Sequence, residues 1–417
     1  MLVEIVSTGD ELITGSVVDT NASYIASKFY EIGLMVNRCT IVGDNKEKIQ
    51  NVLEQVSDRA DIVIVTGGLG PTQDDLTSEI AALISNDELK LDKQALSDIE
   101  QFFKRKKIKM SETNNKQAYL PSRAVMLRNS CGTAPGFFMN HGRAVLYFLP
   151  GVPGEMKEMF ETKVLPDLFN KFEISKRLNT KISLFGVPES KAANDLKDFQ
   201  TRFPDIILGF RAAFPIIEVK LSSSLLADDQ DAGDVFLKAK NWIISRFDNK
   251  NIVSDKGLSM EQEVARLLIK QQKTVAVAES CTGGLISHML TDVPGSSAYF
   301  LFSAVTYANE AKINILNVNN DTILKYGAVH EHTAEEMAKG VMEKAGSDFG
   351  ISTSGIAGPT GGTDEKPVGT ICIGYAEKGF STARTYCLNF NDRTRNKQIF
   401  AAACLNFLRK KLKEFEN

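Results

Sequence analysis

Several side chains on which common chemistries depend are scarce in this sequence. It has only four histidines, His141, His288, His330 and His332, and six cysteines, Cys39, Cys131, Cys281, Cys372, Cys387 and Cys404. No two cysteines form a C-x-x-C pair and no histidine is spaced as a zinc ligand would be, which argues against a zinc module and fits a reduced, cytoplasmic chain. Charge of one sign is also missing. The 52 acidic and 49 basic side chains leave a net charge of −3, so no overall field draws the protein to nucleic acid or to an anionic membrane. No window approaches the about 18 consecutive apolar residues of a membrane span. The opening Met1-Leu2-Val3-Glu4-Ile5-Val6 lacks a basic region and runs straight into a strand pattern, so no signal peptide is expected. Internal repeats and low-complexity tracts are absent. The basic run Lys104-Arg105-Lys106-Lys107 reads as a solvated helix end.

What is present is an α/β pattern long enough, at 417 residues, for two or three domains. Residues 1–170 alternate strand and helix signals, which predicts crossover units and a largely parallel sheet. Leu2–Val6, Val36–Val42, Asp61–Val65 and Ala144–Leu149 read as strands. Ala22, Ile25, Ala26, Phe29 and Ile32 recur at helical spacing, as do Ile49, Val52, Leu53 and Val56. Thr72 with Asp75 predicts a capping box that opens a helix bearing Leu76, Ile80, Leu83 and Ile84. Residues 171–253 carry a β-α-β-β-α order, a small α+β connector suited to spacing or dimer formation. Ser254-Asp255-Lys256-Gly257 is the expected linker. From 258 to 417 the α/β alternation resumes, with a helix begun by Thr333 and Glu336 and a long closing helix.

The last region holds the most informative junction. Ser280, in Ala278-Glu279-Ser280-Cys281-Thr282-Gly283-Gly284, follows the apolar run Thr274–Val277 and faces a glycine-opened helix, where a hydroxyl stands above the sheet edge. N–H groups near Thr282, Gly283 and Gly284 are candidates to hold an oxyanion. A serine nucleophile needs a base. Thr306-Tyr307-Ala308-Asn309-Glu310-Ala311-Lys312 leaves another strand and brings Tyr307 and Lys312 to the same edge; a desolvated lysine can take the serine proton near neutral pH, with the tyrosine relaying it or holding the lysine. A surface Lys312 and a core-edge Tyr307 are the plainer alternative. Cys281 is a second candidate nucleophile, but alternation along an extended exit lets only one of the pair face a pocket. The second glycine stretch, Ser354–Gly362 with Gly355, Ala357, Gly358 and Thr360, suits a phosphate or ribose, and either glycine mouth could take the phosphate.

In the first region Gly67-Gly68-Leu69-Gly70-Pro71-Thr72 is a strand-to-helix turn of the kind that receives phosphate, with Gly67, Gly68, Gly70 and Thr72 as candidates. It is neither a G-x-G-x-x-G fingerprint nor a Walker A loop. Asp10, Glu11, Asp44, Asp74 and Asp75 fall at strand ends on one side of the expected sheet, where carboxylate oxygens could hold a divalent cation on a pyrophosphate; each also reads as a helix cap or solvated turn.

Taken together, Glu279–Gly284, Val293-Pro294-Gly295-Ser296-Ser297, Val305–Lys312, Tyr326-Gly327-Ala328-Val329, Ser354–Pro359 and Lys366-Pro367-Val368-Gly369-Thr370 resemble the C-terminal domain of the CinA (competence/damage-inducible protein) family. Ser7–Leu12, Asp19-Thr20-Asn21, Val42-Gly43-Asp44, Gly67–Asp75, Gly132–Gly136 and Leu149–Met156 resemble the family's molybdopterin-binding-like domain, a three-layer α/β fold shared with molybdenum-cofactor biosynthesis proteins. Leu69 stands where those proteins usually have threonine, which turns the reading away from pterin. The connector resembles the family's KH-like module but has no G-x-x-G loop, so nucleic acid is not expected as a partner.

The resemblance implies a bifunctional enzyme. The last domain would deamidate nicotinamide mononucleotide to nicotinate mononucleotide and ammonia without a cofactor, with Ser280 as nucleophile and Lys312 and Tyr307 as base and relay. The first would be an ADP-ribose pyrophosphatase that needs a divalent metal, with or without a monovalent cation. A homodimer away from membranes is implied as well. The alternative is a competence or DNA-damage accessory protein whose first domain binds rather than catalyses.

Overall fold

The computed structural model of the protein describes residues 1–174, 177–226 and 231–415. It divides into two compact units, Met1–Arg177 and a second holding Leu178–Leu225 and the described residues from Asp231 onward.

In the first unit β1 (Val3–Thr8), β2 (Val36–Val42), β3 (Ile62–Thr66), β4 (Val125–Leu127), β5 (Gly136–His141) and β6 (Ala144–Leu149) form one sheet in the order β2-β1-β3-β6-β5-β4. The first four in that order are parallel, and β5 and β4 are antiparallel additions. Every residue of β1 and β3 is buried because helices cover both faces, which is why these strands read as unbroken apolar runs. The helix α1 (Thr20–Glu31) seats Ile25 and Phe29 on one face; α2 (Lys46–Arg59) seats Ile49, Leu53 and Val56 on the other. Since β1 is flanked by β2 on one side and β3 on the other, the loops leaving β1 and β3 part at its carboxyl end and open a crevice.

Thr72 does not cap a helix. Its N–H and hydroxyl both donate to the Asp75 carboxylate within a loop, and α3 (Thr77–Ile84) starts five residues later with Thr77 Oγ1 donating to Gly67 O at 3.0 Å. The side-chain clasp predicted from spacing forms, but it shapes the turn that lines the crevice.

The second unit opens with four strands, β7 (Arg177–Phe185), β8 (Ile206–Ala213), β9 (Ile216–Leu226) and β10 (Ile252–Ser254), in the order β8-β9-β7-β10. Helix α4 (Ala232–Ser245) packs Phe236, Ala239 and Ile243 against Leu184, Val219 and Leu221. The strand β10 has no counterpart in the sequence reading, because three residues are too few to display a period of two. The fully buried Arg409 donates to Ile252 O at 2.6 Å and Lys250 O at 2.7 Å, fastening this module to the closing helix.

The remaining sheet runs β12-β11-β13-β14-β15, from β11 (Val275–Glu279), β12 (Phe300–Val305), β13 (Phe349–Gly355), β14 (Thr370–Glu377) and β15 (Phe380–Cys387). One face is covered by α5 (Met260–Gln271), which begins with a Ser259–Gln262 capping box, and by the closing helix α9 (Arg393–Glu414). On the other face α8 (Glu331–Ala345) seats Met337 and Val341. This helix begins at Glu331, with the His330 ring accepting the His332 N–H, and not at Thr333; Glu336 is drawn instead to the Asn319 N–H and the Thr322 hydroxyl. Two short helices, α6 (Leu285–Thr291) and α7 (Asn309–Leu316), follow β11 and β12. Among the described residues no helix is long and apolar enough to cross a membrane.

Candidate functional site

The five buried residues of β11 end on Glu279, and the Ser280 N–H extends the ladder by one bond to Thr353 O at 3.0 Å. Gly283 and Gly284, at φ of +60° and +92°, then turn the chain into α6, a conformation that a side chain would strain. The Glu279 carboxylate, fully buried, bends forward under this turn. It accepts the N–H groups of Gly284 (2.9 Å), Ile286 (3.1 Å) and Ser287 (2.9 Å) and the Ser287 hydroxyl (2.6 Å). The donors of the opening turn are therefore occupied from within, as a carboxylate at a helix N-terminus favours. The Gly283 N–H goes to Ser280 O at 3.1 Å. Of the three oxyanion positions expected from sequence, Gly283 and Gly284 are thus committed elsewhere; the N–H groups of Cys281 and Thr282 enter none of these bonds.

Lys312, on α7 and only 1% exposed, reaches back to the end of β11. Its Nζ lies 2.9 Å from Thr306 O, 3.0 Å from Tyr307 O and 3.3 Å from Ser280 Oγ. Burial holds its pKa below the usual lysine value, partly offset by Cys281 and Glu310. As an ammonium, Lys312 donates its third N–H to Ser280 Oγ; once deprotonated, the amine has two N–H donors and one lone pair. With both donors on carbonyls, the lone pair is left for the Ser280 hydroxyl proton, which is the arrangement a general base requires.

Tyr307 contributes its carbonyl to this set. The residue is 63% exposed, and the phenol accepts from Arg393 Nη2 at 3.3 Å, so the hydroxyl is turned away from Lys312 and Ser280. The lysine is held by the Tyr307 backbone, and the expected side-chain relay is not what touches it. Cys281 packs among core residues, where burial pushes its thiol pKa up to about 12. A thiol so desolvated stays protonated and unreactive, which leaves Ser280 as the nucleophile of the pair.

The Gly355–Gly362 loop comes to the same sheet edge, since Ser280 sits on Thr353 of the neighbouring strand. Its carbonyls are held by the first turns of α9. The fully buried Asn396 donates to Ala357 O at 3.0 Å, and Arg393 Nη1 donates to Gly358 O at 2.6 Å. Gly355 and Gly358 are required there: an added Cβ would come within 2.5 Å of Thr370 O and of Val368 Cγ1 respectively. Thr360 is exposed on the same loop. One helical turn beyond Arg393, the Lys397 ammonium sits over Gly283, 3.5 Å from where a Cβ would stand. Glu279, Arg393, Asn396 and Lys397 were not singled out from sequence, although Glu279 directly precedes the nucleophile.

In the first unit a cavity of about 390 Å³ opens at the carboxyl ends of β1 and β3. Glu11, Asp44, Asp74 and Asp75 line it with Gly67, Gly68 and Gly70, and so does Glu155, which sequence reasoning passed over. Asp10 is turned aside; its carboxylate accepts the Asp44 N–H while Asp44 accepts the Asp10 N–H, each at 3.0 Å. Burial raises the Asp44 pKa, and Asp10, Glu11 and Asp74 add like-charge repulsion. Burial raises Glu155 as well, against the hydrogen bond it accepts from Asn129. Gly67 and Thr72 do not offer their N–H groups to a phosphate, since these go to Leu149 O and the Asp75 carboxylate. Gly68 remains indispensable: at φ +67° a Cβ would stand 2.1 Å from Thr77 Oγ1. Among the described residues no three His, Cys, Asp or Glu side chains gather closely enough to cage an ion on their own.

A larger cavity of about 530 Å³ between Phe185, Phe214, Ile216, Leu388 and Phe407 has no serine, cysteine, histidine or carboxylate in its wall, so its lining offers no nucleophile or acid.

Comparison with known proteins agrees with this division. Residues 4–170 match the family described as "Probable molybdopterin binding domain" and residues 258–412 match the CinA C-terminal domain. A CinA-like protein of Desulforapulum autotrophicum is 46% identical over 419 residues, covering 99% of this chain and 98% of its own. One from Desulfosudis oleivorans is 44% identical over 415 residues, with 99% and 100% covered. Among solved structures, the competence/damage inducible protein CihA of Agrobacterium tumefaciens aligns at 35% identity and a TM-score of 0.36, over 37% of this chain and 97% of its own. The chain belongs to the CinA-like family, with a molybdopterin-binding-like domain preceding a CinA C-terminal domain.

Proposed function

We propose that the second unit is a serine amidohydrolase that deamidates nicotinamide mononucleotide. The observation that carries this reading is the Lys312 amine, buried, held by two carbonyls and 3.3 Å from the Ser280 hydroxyl. Ser280 Oγ attacks the carboxamide carbon as its proton passes to Lys312 Nζ. The resulting oxyanion is set against the Cys281 and Thr282 N–H groups, the donors of the turn that Glu279 leaves free. The Lys312 ammonium then returns its proton to the departing nitrogen, releasing ammonia, and a water activated by the same amine hydrolyses the acyl ester to give nicotinate mononucleotide. The nucleotide as substrate comes from the family resemblance, and the cations near the mouth support it. Ammonia release from nicotinamide mononucleotide tests the reading; turnover that survives in Ser280→Ala would sink it.

For the first unit we infer a metal-dependent pyrophosphatase acting on ADP-ribose. The specific observation is the crowding of Glu11, Asp44, Asp74, Asp75 and Glu155 around one cavity. Like charges so placed repel a pyrophosphate unless a cation intervenes, and hard oxygen donors suit a divalent ion that keeps waters and substrate oxygens in its shell. Because no three of these carboxylates meet closely enough to hold an ion alone, one or two of them, Asp44 or Asp74 foremost, would anchor it while waters and the diphosphate complete its shell; when bound, such an ion would neutralise phosphate charge and polarise the phosphoryl group. The residues of this unit orient the diphosphate across the Gly67–Gly70 turn. Hydrolysis of ADP-ribose measured with and without added divalent metal tests the reading, and absence of turnover with every metal would leave a binding module.

A further inference from the structure

The two glycine mouths beside Ser280 are the obvious receivers for a phosphate, yet the first has spent most of its donors and the second turns two carbonyls toward the cations of α9. Around α6 the N–H groups of Gly284, Ile286 and Ser287 are taken by Glu279. On the other loop Ala357 and Gly358 turn carbonyls, which repel an anion, toward Asn396 and Arg393. Between the mouths stand two cations on one face of α9. Arg393 is fixed against Gly358 O and the Tyr307 phenol and keeps three of its five N–H donors. Lys397, four residues on, lies over Gly283, three residues from the nucleophile. Among the described residues neither forms an ion pair with a carboxylate.

We propose that Lys397 and Arg393 form the subsite for the 5′-phosphate of the substrate and so select a mononucleotide over its nucleoside. This deepens the amidohydrolase reading and rests on it. The glycine loops then have a different task from cradling phosphate: Gly283, at φ +60°, makes the turn over which the Lys397 ammonium sits, and the Gly355–Gly362 loop anchors the guanidinium. An ammonium paired with a phosphate dianion contributes binding felt in both ground and transition states, so its loss is read in KM before kcat.

The test compares nicotinamide mononucleotide with nicotinamide riboside, which carries the same amide and no phosphate, for the full-length wild type, Lys397→Met, Lys397→Arg and Arg393→Met. The expected result is that the ratio of kcat/KM for nucleotide over nucleoside falls about tenfold or more in Lys397→Met, mainly through KM, and is largely kept in Lys397→Arg. A ratio that stays at the wild-type value in both Met variants overturns the proposal, because both substrates then suffer alike from a structural disturbance. Calorimetric binding of the mononucleotide to Ser280→Ala, with and without Lys397→Met, separates this idea from the chemistry. If the wild type deamidates neither substrate, the amidohydrolase reading fails alone. Mononucleotide binding weakened about tenfold by Lys397→Met still upholds the subsite, while absent or undiminished binding overturns it.

Discussion

The two mouths of this protein use one backbone device with opposite charge. Each lies at the carboxyl end of buried parallel strands and is entered through glycines held at positive φ, Gly67 and Gly68 in one case and Gly283 and Gly284 in the other. In the first, Glu11, Asp44, Asp74, Asp75 and Glu155 face the opening. In the second, the buried carboxylate Glu279 is consumed by the helix start, and Arg393 and Lys397 are the charges that stand beside the Lys312 amine. The glycines make close approach possible in both; the side chains decide whether a phosphate needs a metal to enter. A strand-to-helix glycine turn is thus a platform, and its ligand is read from what neutralises the N–H groups and what charge stands opposite.

The sharpest way to break this contrast is at the second mouth. Ser280→Ala should lower deamidation by about 10⁴-fold or more, and Lys312→Met by about 10²–10⁴-fold, with no effect of a chelator on the wild-type rate. Because burial lowers the Lys312 pKa, the amine is free at a pH below that of ordinary lysine. kcat/KM should rise with pH through this lowered pKa and level off above it. Lys312→Arg, which cannot deprotonate, should be inactive across the range; a pH profile unchanged in that variant would remove Lys312 as the base.

The first mouth should behave in the opposite way toward metal. Chelation should abolish ADP-ribose cleavage, and Asp75→Ala should lower it about 100-fold, since that carboxylate both faces the cavity and holds the Thr72 turn. Titrating divalent metal into the variant tells these roles apart: recovery at high metal marks a ligand, and no recovery marks a lost turn. Neither substitution should alter deamidation.

Glu279→Gln probes the device common to both. An ionised acceptor of four buried hydrogen bonds becomes an amide whose N–H₂ faces donors, at a cost on the order of 3 kcal/mol. Melting should fall by roughly 6–12 °C, and deamidation about tenfold as the Ser280 turn loosens. Wild-type melting would show that the carboxylate is not what fixes the turn.

Much of this was legible in the sequence because it rests on local pattern. Buried runs such as Ile62–Val65 and Val275–Ala278 announce central strands, and the glycines after them announce turns. Ser280 and Lys312 were found because a strand exit and a helix one turn further on bring them to one edge. The carboxylates of the first mouth followed from the same logic. Glu279, Arg393 and Lys397 were not legible, since a glutamate ending an apolar strand has no preferred direction until the turn exists, and the basic residues come from a helix more than a hundred positions away in the chain. Glu155 was hidden likewise; its contact with Asn129 and the bare backbone of Gly132 is created by packing between distant segments. Spacing predicted the Thr72–Asp75 clasp but not that it would close a loop, because the helix behind it is set by Thr77 bonding to Gly67.

The smallest expected effect concerns Tyr307. Family resemblance assigns its phenol a proton relay, whereas here the carbonyl holds Lys312 and the phenol meets Arg393. A carbonyl is indifferent to the side chain that carries it. Tyr307→Phe should therefore leave the basic limb of the pH profile in place and reduce kcat by no more than about threefold, the remainder falling on KM through loss of one long hydrogen bond from the Arg393 guanidinium. A drop in kcat of about 100-fold or more, with KM unchanged, would mean that the phenol swings inward when the nucleotide binds, and the relay would have to be restored to the mechanism.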